Sequence, residues 1–378
     1  MNEPTELLLL CWRDTDHPQG GGSERYLERV GAELAARGLR VTLLTARYPG
    51  SARSEWRDGV RVLRAGGRLT VYPRALLTLI AARAGRGRLA GYRPSVVIDT
   101  QNGVPFFARL VTRAPVVVLV HHCHREQWPV AGPLLARLGW LIESRLSPRI
   151  HRGSRYLTVS APSAAELVDL GVDRERITVV RGGVDPVPAV PGGRPERGAA
   201  GPQRLIVVSR LVPHKQVEHA LQVLARLREQ GREVVLDVVG DGWWAPELRA
   251  AAVRAGVAGQ VSFHGHVDER TKHALLARAD VHLMPSAKEG WGLVVIEAAQ
   301  HAVPTLGYRS SAGLTDSIVD GVTGVLVDDP GQLAAATAAL LDDPDRRSEL
   351  GRQAQARAAG YSWESTADGV QRVLADLL

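Results

Sequence analysis

Lysine is almost missing from this 378-residue chain: it stands only at Lys215, Lys272 and Lys288, and the rest of its 47 basic residues are arginine. Cysteine occurs twice, as Cys11 and Cys123, too few and too far apart for a disulfide framework or a cysteine zinc site. Aromatic residues make up 5%, with three phenylalanines. No run approaches the roughly 18 to 20 uncharged apolar residues that would span a bilayer, so no transmembrane helix is expected. The opening "MNEPTELLLLCW" has an acidic lead and a short apolar run, which fits a buried first strand better than a secretory signal, and a cytoplasmic location is expected. With 45% hydrophobic and 23% charged residues, the remainder has the composition of a globular protein long enough for two domains.

The net charge of +7 is not evenly spread. Residues 1–190 hold 27 arginines against 17 acids, whereas residues 191–378 hold 20 basic residues against 23 acids. Ten of those arginines, with two acids, fall between 53 and 93. Two readings stay open: a solvated basic surface, or docking to an anionic acceptor or acidic lipid headgroups at the inner membrane face.

Apolar runs alternate with helical patterns throughout. The first half offers strands at 7–11, 41–45, 96–99, 116–120 and 157–160. Between the first two lies "SERYLERVGAELAARG", with Tyr26, Leu27, Val30 and Leu34 at helical spacing and Gly38 as its stop. Residues 185–203 concentrate Pro and Gly and break every periodicity, which marks a linker. After it strands are expected at 204–211, 234–242, 261–266, 281–286 and 324–329, with helices between them. Near-continuous apolar strands alternating with helices imply parallel sheets covered on both faces. The expected fold is therefore α/β, with two doubly wound, Rossmann-like domains facing across a cleft. The domains are placed at 1–186 and 204–360, with a linker at 187–203. A C-terminal helix over 361–378 is expected to pack back on the first domain.

The stretch "PSAKEGWGLVVIEAAQHAVP", 285–304, carries the most chemistry. A strand ends, a short loop holds Glu289, glycines flank Trp291, and a helix opens near Gly292, Leu293 and Val294, with Glu297 on its early turns. Free amides at a helix start, together with the positive end of its dipole, suit a phosphate-like anion. Carboxylates accept hydrogen bonds from hydroxyls instead, so a helix start flanked by two of them suggests a ligand bearing both diphosphate and sugars. Cations come from "VVSRLVPHKQ", which places Arg210 at a strand end and Lys215 five residues later. A lysine in so arginine-rich a chain favours a functional role.

These residues resemble glycosyltransferase family 4, retaining enzymes of the GT-B fold, and the resemblance covers essentially the whole chain. Glu289 and Glu297 look like that family's paired glutamates with seven residues between, and Arg210 with Lys215 looks like its donor-diphosphate pair. "HPQGGGSERYLERVGAELAARGLRVTLLT" is similar to the family's N-terminal glycine loop, helix and second strand. The resemblance implies a sugar moved from a nucleotide-diphosphate sugar to an acceptor hydroxyl on a glycan, a lipid or a natural product. It places Gly21 and Gly22 near the donor diphosphate from across the cleft, and a histidine, His121 best with His122 as the other candidate, near donor sugar and acceptor. Gly240 in "VVGDGWW" would border the nucleotide, a role that a tight turn explains equally well. His266 and Val267 in "FHGHV" resemble the stretch whose backbone reads the base. No cofactor beyond the donor substrate is implied.

Metal chemistry is not expected. His121, His122 and His124 lack a partner at a zinc-motif spacing, and the aspartates of "DTD", Asp14 and Asp16, sit in a loop where Asp is a common turn residue. A nicotinamide oxidoreductase is disfavoured, since no strand leads directly into GxGxxG and the second strand ends without an acid for a ribose. A nucleotide-sugar epimerase of the same architecture is the nearer alternative. Nucleic acid is not an expected partner, because the arginines interleave with helix-core residues and not with aromatic platforms.

Overall fold

The computed structural model describes residues 5–128, 132–188 and 201–378. They fall into two units, one of residues 1–183 with 362–378 and the other of 184–361.

In the first unit, strand β1 (Glu6–Leu10) is buried at all five positions, and its apolar run is explained by its central place in the sheet. Helix α1 (Gly22–Ala36) follows and buries Tyr26, Leu27, Val30 and Leu34, the spacing read from the sequence. Then come β2 (Arg40–Thr45), the hairpin β3 (Ser54–Arg57) and β4 (Val60–Arg64), α2 (Val71–Arg83), β5 (Val96–Gln101) and β6 (Val116–Val120). Helices α3 (Pro133–Leu141) and α4 (Ser147–Ile150), strand β7 (Arg155–Thr158), helix α5 (Ala161–Asp169) and strand β8 (Ile177–Val179) complete the series. The sheet order is β3-β4-β2-β1-β5-β6-β7-β8, parallel except for β3 against β4. That hairpin was not expected. It turns on Asp58 and Gly59, whose φ angles of 47° and 77° give the left-handed pair that an Asp-Gly turn supplies.

The second unit repeats the scheme with β9 (Gln203–Val208), α6 (Val217–Glu229), β10 (Val234–Val239), α7 (Ala245–Arg254), β11 (Val261–Gly265) and α8 (Glu269–Arg278). It continues with β12 (Val281–Met284), α9 (Leu293–Gln300), β13 (Thr305–Tyr308), α10 (Leu314–Ser317), β14 (Gly324–Val327), α11 (Pro330–Asp342) and α12 (Pro344–Ala358). All six strands are parallel, in the order β11-β10-β9-β12-β13-β14. Helix α13 (Trp363–Ala375) belongs to the first unit. Its Trp363 ring meets Tyr26 edge-on at 6.2 Å, and Arg37 on α1 pairs with Asp368 at 2.7 Å. Of the expected linker, residues 189–200 lie outside the described residues, and Gln203 is already the first residue of β9.

This topology sets where ligands can sit. From β9 the chain runs outward through β10 and β11, then jumps back so that β12 lies on the other side of β9. The loops leaving the carboxyl ends of β9 and β12 diverge at that switch and open a crevice. In the first unit the corresponding switch lies between β1 and β5. Among the described residues, no helix is long and apolar enough to cross a membrane.

Candidate active site

At the switch of the second unit, β9 runs into Ser209, Arg210 and Leu211. The loop after β10 presses directly on this segment. A Cβ on Gly240 would stand 1.9 Å from the Ser209 carbonyl oxygen, and one on Gly242 would stand 2.1 Å from that of Leu211. Gly240 also has φ +121°. Ser209 N–H donates to the Val239 carbonyl, and Leu211 N–H to that of Asp241. The two glycines are therefore required by close backbone packing, which fixes the strand end bearing the half-buried Arg210. Pro213–Lys215 forms a single 3-10 turn, and Gln216, at φ 48°, leads into α6.

Across the switch, Glu289 sits in the loop between β12 and α9. Its N–H donates to the Ser311 carbonyl at 3.1 Å, and its own carbonyl accepts from Gly313 N–H at 3.2 Å. Ala287 N–H donates to the His214 carbonyl at 2.9 Å, so the two loops are tied together by backbone. Over that tie Lys215 Nζ meets Glu289 Oε1 at 2.5 Å, with side-chain exposures of 13% and 10%. Lys215 and Glu289 thus form one ion pair in which the lysine charge is already locally compensated. Helix α9 opens at Gly292, whose φ of 80° is left-handed and which offers no side chain to cap the helix. The amides of Leu293 and Val294 begin the helix there, with the positive end of its dipole.

One turn along α9, Glu297 is 7% exposed. Lys272 of α8 holds its Oε1 at 2.9 Å, while Oε2 is buried without a hydrogen-bond partner among the described residues. A buried carboxylate oxygen without a donor is costly unless a ligand supplies one. Lys272 also reaches Glu269 at 3.0 Å. Sequence reasoning missed Lys272, although the scarcity of lysine that singled out Lys215 applies to it equally. Further along the sheet edge, Gly240 N–H donates to the Gly265 carbonyl at 2.8 Å, which joins the ends of β10 and β11. His266 beyond it is exposed, and Val267 packs partly into the core. Arg210, Lys215, Gly240, His266, Val267, Glu289, Gly292 and Glu297 therefore all lie on, or one turn from, the carboxyl-edge loops of one sheet.

The first unit brings together a different set. Of the three glycines at the start of α1, Gly20 is explained by the protein itself, because a Cβ there would lie 2.7 Å from the Thr15 carbonyl. Gly21 has extended angles, φ −163°, and its N–H donates to Glu24 Oε2 at 2.8 Å in a capping arrangement. The Gly21 amide, expected to reach a ligand, is thus occupied by the helix's own glutamate; Gly22 is the first helical residue. Glu24 is buried and paired with Arg13 at 2.8 Å. His121, at the end of β6, is 7% exposed, its ring edge-on to Tyr26 at 5.3 Å, with Nε2 unpartnered among the described residues. Burial pushes the His121 imidazole down to about 4, and the nearby Glu24 carboxylate only partly opposes that shift. At neutral pH it is an uncharged hydrogen-bonding group and a weak base. His122 is half-buried, stacks on His124 at 4.5 Å and accepts from the Gln127 amide at 2.8 Å. His124 Nδ1 lies 3.1 Å from Glu143, whose other oxygen accepts from Trp128 Nε1 at 2.7 Å.

Asp14 is buried against Arg64, with Nε at 2.6 Å, and Asp16 pairs with Arg57. Among the described residues no group of three His, Cys, Asp or Glu side chains is placed to hold a metal ion. Part of the arginine run at 53–93 is likewise spent inside the unit: Arg57 also reaches Glu28 and Glu55, and Arg88 donates to backbone carbonyls of Arg64 and Arg53.

Comparison with known proteins places the chain. Residues 20–187 match the model of the family described as Glycosyltransferase Family 4, and residues 194–357 match that of Glycosyl transferases group 1. The chain belongs to glycosyltransferase family 4. It is 30% identical to a glycogen synthase of Mycobacterium tuberculosis, over 97% of this chain and 94% of that one. It is also 30% identical to a GDP-mannose-dependent alpha-(1-6)-phosphatidylinositol monomannoside mannosyltransferase of Mycolicibacterium smegmatis, over 94% and 93%. Among solved structures, sucrose-phosphate synthase from Thermosynechococcus elongatus superposes with a TM-score of 0.81 at 19% identity, covering 99% of both chains. Anabaena HepE in complex with UDP-glucose gives 0.75 at 18% identity, covering 98% of this chain and all of the other. This family 4 glycosyltransferase therefore has the GT-B fold, built from its two parallel-sheet α/β units.

Proposed function

We propose that the chain transfers a sugar from a nucleoside diphosphate sugar to an acceptor hydroxyl, with retention of anomeric configuration and without a metal ion. The reading is carried by one observation: at the β9/β12 switch Lys215 is paired with Glu289, one loop away from the uncapped start of α9. A pyrophosphate suits that place because lysine, Arg210 and helix amides all complement its charge. The buried, unpartnered Oε2 of Glu297 suits a ribose hydroxyl, which donates where a phosphate cannot. The mannosyltransferase relative is named for a GDP-mannose donor, and the HepE structure holds UDP-glucose, which supports a nucleotide sugar as donor.

In the proposed reaction the bond between the sugar's anomeric carbon and the diphosphate oxygen breaks, and both bonding electrons go to the departing diphosphate. The acceptor oxygen bonds to the same face of the anomeric carbon, and its proton passes to the leaving diphosphate. Negative charge develops on that leaving group, so the main catalytic term is its electrostatic stabilisation by Arg210, Lys215 and the α9 amides. These groups do the work that a divalent ion does elsewhere. His121, uncharged at neutral pH, serves as a hydrogen-bonding partner for a sugar hydroxyl in place of a general base. An epimerase of the same architecture would convert donor without an acceptor, and none of the relatives named above is an epimerase.

The test is slow hydrolysis of the donor sugar, with water as acceptor and chelator present. The first anomer released, followed by nuclear magnetic resonance, is expected to match the donor. Release of the opposite anomer, or turnover lost in chelator and restored by a divalent ion, contradicts the reading.

A further inference from the structure

Helix α3 turns leucines outward. Leu134, Leu135, Leu138 and Leu141 are 81%, 60%, 53% and 55% exposed, and positions 134, 138 and 141 form one stripe at helical spacing. The helix is not loosely placed. Its Gly139 packs so closely on the Trp128 indole that a Cβ there would stand 2.3 Å from the ring, and Trp128 is tied in turn to the buried Glu143. That anchor occupies the inner face and leaves the leucines on the outer one.

Charge in and beside this helix is mostly of one sign: in the preceding segment Arg125 lies over the Trp140 ring of α3 and Glu126 is exposed. From residue 132 to 150 the exposed charged residues are Arg137, Arg145 and Arg149, and the one acid, Glu143, is fully buried. An apolar ridge beside an excess of exposed arginine complements a surface that is apolar below and anionic above. A second copy of the chain is a poor occupant, because a two-fold contact through this face would bring Arg125, Arg137, Arg145 and Arg149 against their counterparts with Glu126 as the one exposed acid of residues 121–150 to meet them.

We infer that the outer face of α3 docks the first unit on an anionic lipid bilayer, with its leucines at the headgroup boundary and Arg137, Arg145 and Arg149 among the phosphates. The inference stands on this helix and the arginines beside it, and does not depend on the donor reading.

Flotation of the full chain with vesicles provides the test. Binding to vesicles of phosphatidylcholine mixed with phosphatidylglycerol is expected, with weaker binding to phosphatidylcholine alone and a decline as salt rises. The triple variant Leu134→Ser, Leu138→Ser, Leu141→Ser is expected to bind about tenfold or more weakly, with an unchanged thermal midpoint because these side chains are exposed. Each of Arg137→Gln, Arg145→Gln and Arg149→Gln is expected to cost roughly fivefold on anionic vesicles alone. The inference is overturned if the wild-type chain does not float with anionic vesicles, or if the leucine variant floats as well as wild type. A dimer in solution that the leucine substitutions dissociate would give the face to a second copy and would overturn it too.

Discussion

Lysine is used sparingly in this chain, and the geometry of the glutamates gives a physical reason for two of its three positions. An ammonium is a compact point charge that satisfies one carboxylate oxygen, whereas a guanidinium fork tends to take both. Lys272 on Oε1 leaves Glu297 Oε2 open, and Lys215 is paired through Oε1 of Glu289. Lys272→Arg is accordingly expected to fill the open oxygen and raise the KM for the donor about tenfold while kcat changes little, about one lost hydrogen bond to a charged group. Lys272→Met leaves a buried carboxylate unpaired and is expected to lower stability by about 3 kcal/mol or more. Steady-state kinetics of the arginine variant beside thermal melts of both check this, and an unchanged KM in the arginine variant removes Lys272 from ligand positioning. Lys215 was legible in the sequence because it follows a strand end. Lys272 was not, because in "ERTKHALLAR" it reads as the solvated face of a helix, and only the fold turns that face toward α9.

At the scale of elements, the central strands were legible because a strand buried on both faces is a near-continuous apolar run. Their ends were less so. The run "VVLDVVGDG" suggests a strand to residue 242, but β10 stops at Val239, where Gly240 leaves the ladder to pack on Ser209. The β3–β4 hairpin was obscured by alternating arginines, though its Asp-Gly turn is a recognised signal. Gly240→Ala is expected to cost about 3 kcal/mol or more, through a Cβ in contact with a carbonyl and an unfavourable φ, and to weaken nucleotide binding about tenfold by shifting the segment that carries Arg210. Gly256→Ala is the matched control: its φ is +69° and nothing lies within 4 Å of the added carbon. It is expected to cost roughly 1 kcal/mol with nucleotide binding intact. Equal effects of the two substitutions on binding would show that the Gly240 contact does not position the site.

For the whole molecule, three buried histidines contribute to the acid response. Burial lowers His121 and His151 to about 4 and His282 to about 3, whereas in the unfolded chain each titrates near about 6.5. Below that value the unfolded state takes up protons that the native state refuses, so stability is full above about 6.5 and falls as the pH drops toward 4. Asp99 works against this trend. Burial raises it to about 6, so it gains a proton in the native state first and offsets about one of the three. For these four groups alone, a net uptake of about two protons on unfolding corresponds to a loss on the order of 2 to 3 kcal/mol per pH unit at the steepest point. Thermal melts across pH 4 to 7 are expected to show a falling midpoint, with a shallower fall in His282→Asn. A midpoint independent of pH over that range contradicts the assignment. The doubly wound class of both units was legible from strand and helix alternation, and the family from a continuous motif in the second half. The charge asymmetry was legible as a number but not as a place, because Arg57, Arg64 and Arg88 are consumed inside the unit while the exposed Arg137 of α3, with Arg145 and Arg149 after it, lies outside the run that drew attention.

The central claim is that Lys215, Arg210 and the start of α9 grip a pyrophosphate unaided by metal. Calorimetric titration of the wild-type chain and of Lys215→Ala with UDP, GDP, ADP and TDP, in chelator, addresses it most directly. At least one nucleotide is expected to bind the wild-type chain, and Lys215→Ala to bind it roughly tenfold or more weakly. No heat with any of the four, or equal affinity in the variant, would contradict the account.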